Sequence, residues 1–447
     1  MTPASAALAA LRAAEAHDGA PDAARRRDLL ARLAAEVKRR AEDIATAAAA
    51  DFGARDRIET LLADAVLVAD FALHARRHLR AWMRPRRVGV PFPFWPARAR
   101  VEPVPKGVIG IMAPWNYPFQ LALSPAVDAI AAGNRIAVKP SEHAPRSAAL
   151  IGEILHAALG PDMARCVTGD AAVAADFAAQ PWDHLVFTGG TATGRRVAQA
   201  AAANLVPVTL ELGGKCPVVV LPGADLARTA REILVGKALN AGQTCVAPDT
   251  VLLVGHAPAA FEAACRAACI ALPGTALLNE AQEARLDGLA AGATLVPLGA
   301  DGPGRQRAIA LATVDDDAPL AQEEVFGPIL PIRPCADLAE AIAWIAARPS
   351  PLAIYLFGAT SAEEAAVAAG TRSGAIVAGR CIEHVGFSAL PFGGVGASGH
   401  GRLHGEEGFR SFSTLRARVR HASFSLARMF DPPRRKLAEI IARQLVR

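Results

Sequence analysis

The stretch VIGIMAPWNYPFQLALSPAVDAIAAGNRIAVKPSE, residues 108–142, decides how the chain is read. It opens on a short apolar run of β type, 108–112. A helical segment follows around 121–132, and a second apolar run covers 135–138. Two buried-strand signals joined by a helix-length crossover describe a βαβ unit with parallel strands. The alternation continues outward through a helix around 146–158, a run at 185–187, a helix around 194–203 and a run at 208–210. A second block repeats it with 218–221, a helix from about 226 to 239, 251–254 and a helix around 259–271. This predicts an α/β fold built on parallel, doubly wound sheets. Asp225 is expected to cap one of these helices, and Ser361 with Glu364 reads as a capping box for a later one.

Upstream of that block, the residues to about Trp82 are rich in Ala, Arg, Glu and Leu and read as helices. Pro85, Pro91, Pro93 and Pro96 then mark an extended arm. At the far end, Arg434, Arg435 and Lys436 precede Leu437, Ile440, Ile441 and Leu445 in an amphipathic pattern. A solvated or docking helix is the expectation there, with an anionic membrane surface as the rival reading.

Composition bounds the function. With 447 residues, 52% hydrophobic and 20% charged, the chain has room for two or three domains and a large core. A formal charge of +5 with scattered basic residues and 5% aromatics gives no footprint for nucleic acid. Seven cysteines lie without CxxC or zinc-type spacing, so reduced thiols, a cytoplasmic setting and no metal are expected. Arg12, Glu15 and Asp18 interrupt the alanine-rich N-terminus, which therefore lacks the apolar centre of a signal peptide. No apolar run reaches the length of a membrane span, so no stable membrane insertion is expected.

Gly394, Gly396 and Gly399 in GVGASG match a dinucleotide fingerprint, but Pro391 stands where a strand should lead in. They are read as a turn. A better phosphate candidate is FTGGTATG, with Gly189, Gly190, Thr191 and Gly194, which follows an apolar run and opens a helix. A tight strand-to-helix turn uses the same residues. Cys245 in NAGQTC sits at a helix-to-strand joint that can expose a thiol; by itself it reads first as an inert buried cysteine and second as a nucleophile. Glu211 in LELGGK, at the end of the 208–210 run, is a general-base candidate or an ordinary ion-pair partner.

Taken together, GVIGIMAPWNYPFQ, GNRIAVKPSE, FTGGTATG, TLELGGKCP, NAGQTC, QEEVFGP and LPFGGVGASG resemble the aldehyde dehydrogenase superfamily in order and spacing, from about Pro105 to Ser413. NAGQTCVAPD and the ending after LPFGGVG are similar to the shorter, class 3-like branch of fatty and coniferyl aldehyde dehydrogenases. The resemblance implies oxidation of an aromatic or medium-to-long aliphatic aldehyde to the acid. Cys245 would form a thioester, Asn116 would donate to the oxyanion, and Glu211 would activate the hydrolytic water. It also implies NAD, with NADP possible, held by Trp115, Lys139, Glu142, Gly189, Gly190, Thr191, Gly194, Glu324 and Phe326. Glu142 suits a ribose 2′-hydroxyl better than a 2′-phosphate. The implied layout is a cofactor domain at 1–83 and 102–210, a catalytic domain at 211–392, and an oligomerisation arm and tail at 84–101 and 393–447. A homodimer is implied too. The chain departs from the family pattern at Gly190, where serine is usual, at Gly379 and Arg380 in place of Asn-Asp, at Leu311 in place of proline, and in a shortened 272–301 segment. A CoA-acylating enzyme or a non-catalytic member of the fold is the alternative.

Overall fold

A computed structural model describes residues 1–433 and 436–446. The strand Val108–Met112 lies inside a sheet whose order is Gly399–His400, Val208–Leu212, His184–Gly189, Val108–Met112, Arg135–Lys139, Ala164–Cys166. All its pairings are parallel except the two-residue outer strand, where Gly399 opposes Glu211. From Val108–Met112 the chain steps outward to the 135 and 164 strands, then crosses back to the 184 and 208 strands. Strand order therefore reverses between Val108–Met112 and His184–Gly189, and the crevice at their carboxyl ends is where such sheets bind ligands.

Both faces of this sheet are covered, which explains the unbroken apolar runs. Ile109, Ile111, Ile136 and Val138 point into one core with the helices Ala23–Arg39, Leu67–Trp82, Pro118–Ala132 and Pro145–Leu159. Val108, Met112, Ala137 and Leu185 point the other way, against Pro3–Asp18 and residues of Thr191–Ala202. The two-residue period of a strand sorts them. Helix Pro118–Ala132 begins earlier than its apolar pattern suggests, because Pro118 occupies the first turn, where a missing N–H costs nothing. It ends at Gly133, φ +94°, where a Cβ would collide with the Arg26 guanidinium at 2.3 Å. Arg26 donates there to the free carbonyls of Ala131 and Ala132.

The second sheet starts at Pro217–Val220. Thr250–Val254, Ile329–Cys335 and Ala310–Thr313 lie on one side and Ala353–Phe357 and Ala375–Ala378 on the other, all parallel. Thr294–Pro297 closes one edge antiparallel, inside the shortened segment. Leu311 is buried in a central strand of this sheet, where a proline would lack the ladder N–H. A third, antiparallel sheet of Arg86–Val88, Arg98–Pro105 and Ser413–Arg420 forms the arm.

Several expectations need correction. The arm strand runs to Pro105, past the expected limit at 101. Gly399–His400 joins the first sheet, and Phe409 and Phe412 enter its core, so the segment after 392 is not wholly arm and tail. The capping box is Thr360 with Glu363, one residue earlier than Ser361 and Glu364. Glu211 lies inside the strand Val208–Leu212 rather than past its end. Asp225 does cap Leu226–Ala238, accepting from the amides of Ala227 and Arg228. The glycines of GVGASG do form a tight turn: a Cβ at Gly394 would meet the Ser398 carbonyl at 2.0 Å. A terminal helix covers Lys436–Leu445, while Arg434 and Arg435 of the amphipathic pattern lie outside the described residues.

Candidate active site

NAGQTC folds as it does because a buried network forces it. After Leu226–Ala238 the chain turns through Asn240, Ala241 and Gly242 with φ of +48°, +52° and +72°. Such angles cost a non-glycine residue about 1–3 kcal/mol each and persist only where the surroundings overdetermine them. At Gly242 a Cβ would also meet the Gly327 carbonyl at 2.4 Å. Gln243, fully buried, donates to the carbonyls of Asn240 and Ala276 and accepts from the Leu278 amide. The turn delivers Cys245 to the joint between the two large sheets, ahead of the strand Thr250–Val254.

Two cavities meet at this thiol. One, of about 450 Å³, is walled mainly by hydrocarbon, including Leu62, Leu67, Leu121, Val385 and Phe387. The other, of about 250 Å³, is lined by Trp115, Asn116, Gly189, Gly190, Gly213, Arg285, Glu324 and Phe326. Leu121, Thr188, Glu211 and Cys245 line both. Burial pushes the Cys245 thiol up to about 12, with the Glu324 and Glu211 carboxyls adding to the rise. The amides of Cys245 and Val246 oppose it by favouring the thiolate. Glu211 is 3% exposed, and neither carboxyl oxygen has a hydrogen-bond partner among the described residues. Its burial lifts its pKa well above the ordinary carboxyl value, against the pull of the Arg402 guanidinium and the Gly394 amide. A buried, unpaired carboxyl beside a thiol can take a proton near neutral pH, which an exposed carboxylate does poorly.

Asn116 is 4% exposed and donates from Nδ2 to the Gln243 carbonyl at 3.1 Å. One N–H of that amide is thereby held and the other is left for a ligand. Trp115 packs edge-on to Phe326, their centroids 5.6 Å apart. Glu324 is half-buried; its Oε1 is buried and unpartnered among the described residues, and its pKa is raised to about 8 by desolvation and by Asp249. Gly213 lies close against it; a Cβ there would come within 2.0 Å of Glu324 Oε2.

Lys139, Glu142, Thr191 and Gly194 do not line either cavity. They occupy the same carboxyl edge of the first sheet. Lys139 ends its strand and holds Glu142 at 2.7 Å, a pair in which Lys139 is buried and Glu142 partly exposed. Thr191 and Gly194 lie in the first turn of Thr191–Ala202. Gly190 precedes that helix with φ −69° and ψ +145°, an ordinary extended conformation, and a Cβ there would meet nothing within 4 Å. Neither strain nor crowding requires glycine at 190. Arg380 at the altered 379–380 turn pairs with Glu232 at 2.9 Å and with Glu383, which lines the apolar cavity.

A set of residues with no signal in the helical N-terminal sequence completes the site. Arg55 and Asp64, both with fully buried side chains, pair at 3.0 Å. Arg55 donates to the Asn116 carbonyl at 2.6 Å, and Asp64 accepts from the amides of Phe119 and Gln120. Glu59 accepts from Tyr117 Oη at 3.0 Å and from the Asn240 amide at 2.9 Å. Tyr117 Oη also lies 3.0 Å from Thr244 Oγ1, next to the thiol. Three residues of the segment 55–64 thus tie the Asn116 loop to the Cys245 turn.

The family profile described as "Aldehyde dehydrogenase family" matches residues 2–417. The chain belongs to the aldehyde dehydrogenase family. It is 40% identical over 427 residues to a probable coniferyl aldehyde dehydrogenase of Pseudomonas aeruginosa, covering 92% of this chain and 90% of that one. The solved structure of a substrate-bound state of Staphylococcus aureus AldH superposes with a TM-score of 0.93 at 31% identity, over 99% of this chain and all of that one. Staphylococcus aureus betaine aldehyde dehydrogenase, solved in complex with NAD+, gives 0.85 at 25% identity over 95% and 91%. Family membership carries the reaction class, oxidation of an aldehyde, and confirms the resemblance read from the seven motifs.

Proposed function

We propose that the chain oxidises an aromatic or medium-to-long aliphatic aldehyde to its carboxylic acid, using NAD, through a thioester on Cys245. One observation carries this reading: Cys245 and Glu211 stand on the wall shared by an apolar cavity and a polar one. The apolar cavity suits a hydrocarbon-bearing aldehyde. The polar one offers an unpartnered Glu324 carboxyl oxygen and open space at Gly190, just ahead of the N-terminus of the helix Thr191–Ala202, which fit the hydroxyl and phosphate groups of a dinucleotide. The nicotinamide ring, when bound, supplies the hydride acceptor.

The protein groups do the rest. Cys245 Sγ bonds to the carbonyl carbon as its proton leaves, and the Glu211 carboxylate is the nearby base that can receive it. The free N–H of Asn116 steadies the negative charge on the carbonyl oxygen. Once the adduct is oxidised to a thioester, Glu211 takes a proton from water, the water oxygen bonds to the acyl carbon and Cys245 leaves as thiolate. Lys139, Glu142, Thr191, Gly194, Glu324, Trp115 and Phe326 hold the cofactor in this reading. The acidic Glu142 favours NAD over NADP.

The layout we infer is a cofactor unit around the first sheet, a catalytic unit around the second, and an arm that pairs two copies into a homodimer. Leu415 and Val419, exposed on the arm strand, support that pairing. Seven free cysteines favour a reducing cytoplasm. Among the described residues no helix is long and apolar enough to cross a membrane. A product assay tests the reaction: free acid and NADH in equal amounts support it, whereas acyl-CoA as the product, or no turnover across an aldehyde panel by folded protein, overturns it.

A further inference from the structure

The arm sheet carries its charge on one face. Directly opposed residues of an antiparallel pair share a face, as does every second residue along a strand. Arg87 opposes Arg100, which opposes Arg418 on its other side. Arg98 opposes Arg420, and Glu102 opposes Arg416. Six arginines therefore stand on this face against one carboxylate. The other face presents Val88, Ala99, Val101, Leu415 and Val419, and it is the one offered to a second copy. The arginine face is left over.

Glu102 cannot balance the set. It is already shared by Arg100 at 2.5 Å, Arg418 at 3.3 Å and Arg416 at 3.4 Å. Arg87, Arg98 and Arg420 form no ion pair among the described residues. Like charges set directly opposite on neighbouring strands destabilise a sheet. Packing gives nothing in return, because Arg87, Arg98, Arg100, Arg418 and Arg420 are all exposed.

These five side chains are arranged around a hollow. They line a cavity of about 740 Å³, larger than either cavity at Cys245, and no acidic residue lines it. Trp95 forms part of its wall, 56% exposed, with Nε1 donating to the Val90 carbonyl at 3.1 Å. Guanidiniums grip phosphate oxygens in bidentate fashion, and the strand lattice spaces these roughly 5 Å apart across strands and roughly 7 Å along them. A chain of linked phosphates can reach several of them at once, whereas a single carboxylate cannot. A flat bilayer would touch only the rim of a hollow. A nucleic-acid strand stacks its bases on successive aromatics, and among the described residues Trp95 is the one aromatic in this wall.

We propose that the arginine face of the arm binds a soluble oligophosphate, such as the triphosphate chain of a nucleotide, through Arg87, Arg98, Arg100, Arg418 and Arg420. The site shares no lining residue with the cavities at Cys245 and does not depend on the reaction assigned there.

Calorimetric titration of the whole protein with inorganic tripolyphosphate at low salt tests this, with and without saturating NAD. Binding of one equivalent per chain, unaffected by NAD, is expected. Arg98→Gln combined with Arg420→Gln should weaken it by about tenfold or more while leaving aldehyde oxidation unchanged. Arg228→Gln combined with Arg231→Gln removes the same charge from an exposed stretch of the helix Leu226–Ala238 and should change affinity by less than about twofold. No binding, displacement by NAD, or equal weakening in the two double variants overturns the site. So does binding to anionic vesicles or single-stranded DNA in place of tripolyphosphate. Should the arm double variant fail to fold, Arg87→Gln on the edge strand decides: weakening by about threefold or more supports the site, and unchanged affinity overturns it.

Discussion

Replacing Arg55 by methionine separates the stability of this protein from its chemistry. The guanidinium is fully buried, lies over the Phe52 and Tyr117 rings and donates three hydrogen bonds: to Asp64 at 3.0 Å, Thr60 Oγ1 at 3.1 Å and the Asn116 carbonyl at 2.6 Å. Methionine is of similar length and fills most of the space, so the main loss is electrostatic. Asp64 would remain buried without its cation, with only the amides of Phe119 and Gln120 to hold its charge. Breaking a buried pair from one side costs about 3–5 kcal/mol. Against a total stability of about 5–15 kcal/mol, the single variant should unfold at clearly lower denaturant or temperature. Adding Asp64→Asn removes the stranded charge while keeping an oxygen for the two amides, so the double variant should regain most of that loss. Activity should not return with it. Asn116 would keep only the Asn240 amide on its carbonyl, and a misplaced oxyanion donor costs about 10²-fold in kcat. Urea unfolding and steady-state kinetics on both variants measure the two effects. A double variant that recovers full kcat along with its stability would refute the argument that Arg55 positions the Asn116 loop.

Cys245→Ser should abolish dehydrogenase turnover while leaving the urea midpoint near that of the parent; measurable acid formation above about a thousandth of the parent rate would exclude the thioester route. Glu211→Gln should release one equivalent of NADH per site, more slowly than the parent because the Cys245 proton has lost its acceptor, and then slow further by about 10²–10⁴-fold, as rapid-mixing absorbance will show. Thioester hydrolysis in the parent should rise with pH, because the raised pKa of Glu211 keeps its carboxyl protonated, and useless as a base, until the pH exceeds it. The Glu211→Gln variant should lose that limb, and an unaltered pH profile in single-turnover hydrolysis counts against this base. Gly190→Ser should tighten NAD binding severalfold, since the position is open and extended and a hydroxyl there can cap the helix Thr191–Ala202; weaker binding by calorimetry would contradict the open-space reading.

How much of this was legible in the sequence depends on the kind of signal each residue leaves. The doubly wound sheets were legible because parallel strands buried on both faces must be apolar along their whole length, as 108–112 and 135–138 are. Element ends were less so. Pro118 looks like a helix breaker until it sits in the first turn, and Glu211 looks like the residue after a strand because nothing local says that a carboxyl is buried there. The residues proposed to react stood out only through seven collinear motifs, since NAGQTC alone reads first as an inert thiol. Arg55, Glu59 and Asp64 left no trace at all. They lie within a stretch whose charge and alanine content describe exposed helices, and their partners are about 55 to 180 residues away in sequence. Charge in a helical segment normally means a solvated face, and only the tertiary fold shows these three turned inward. The same blindness applies to His404. Its neighbours Leu403 and Gly405 suggest a loop, whereas the hydrogen bond of its amide to Asp128 and its contact with the Phe71 ring are made across more than 270 residues. Motifs therefore pointed to the residues proposed to react. The groups that set their spacing are written in long-range contacts, which no local pattern encodes.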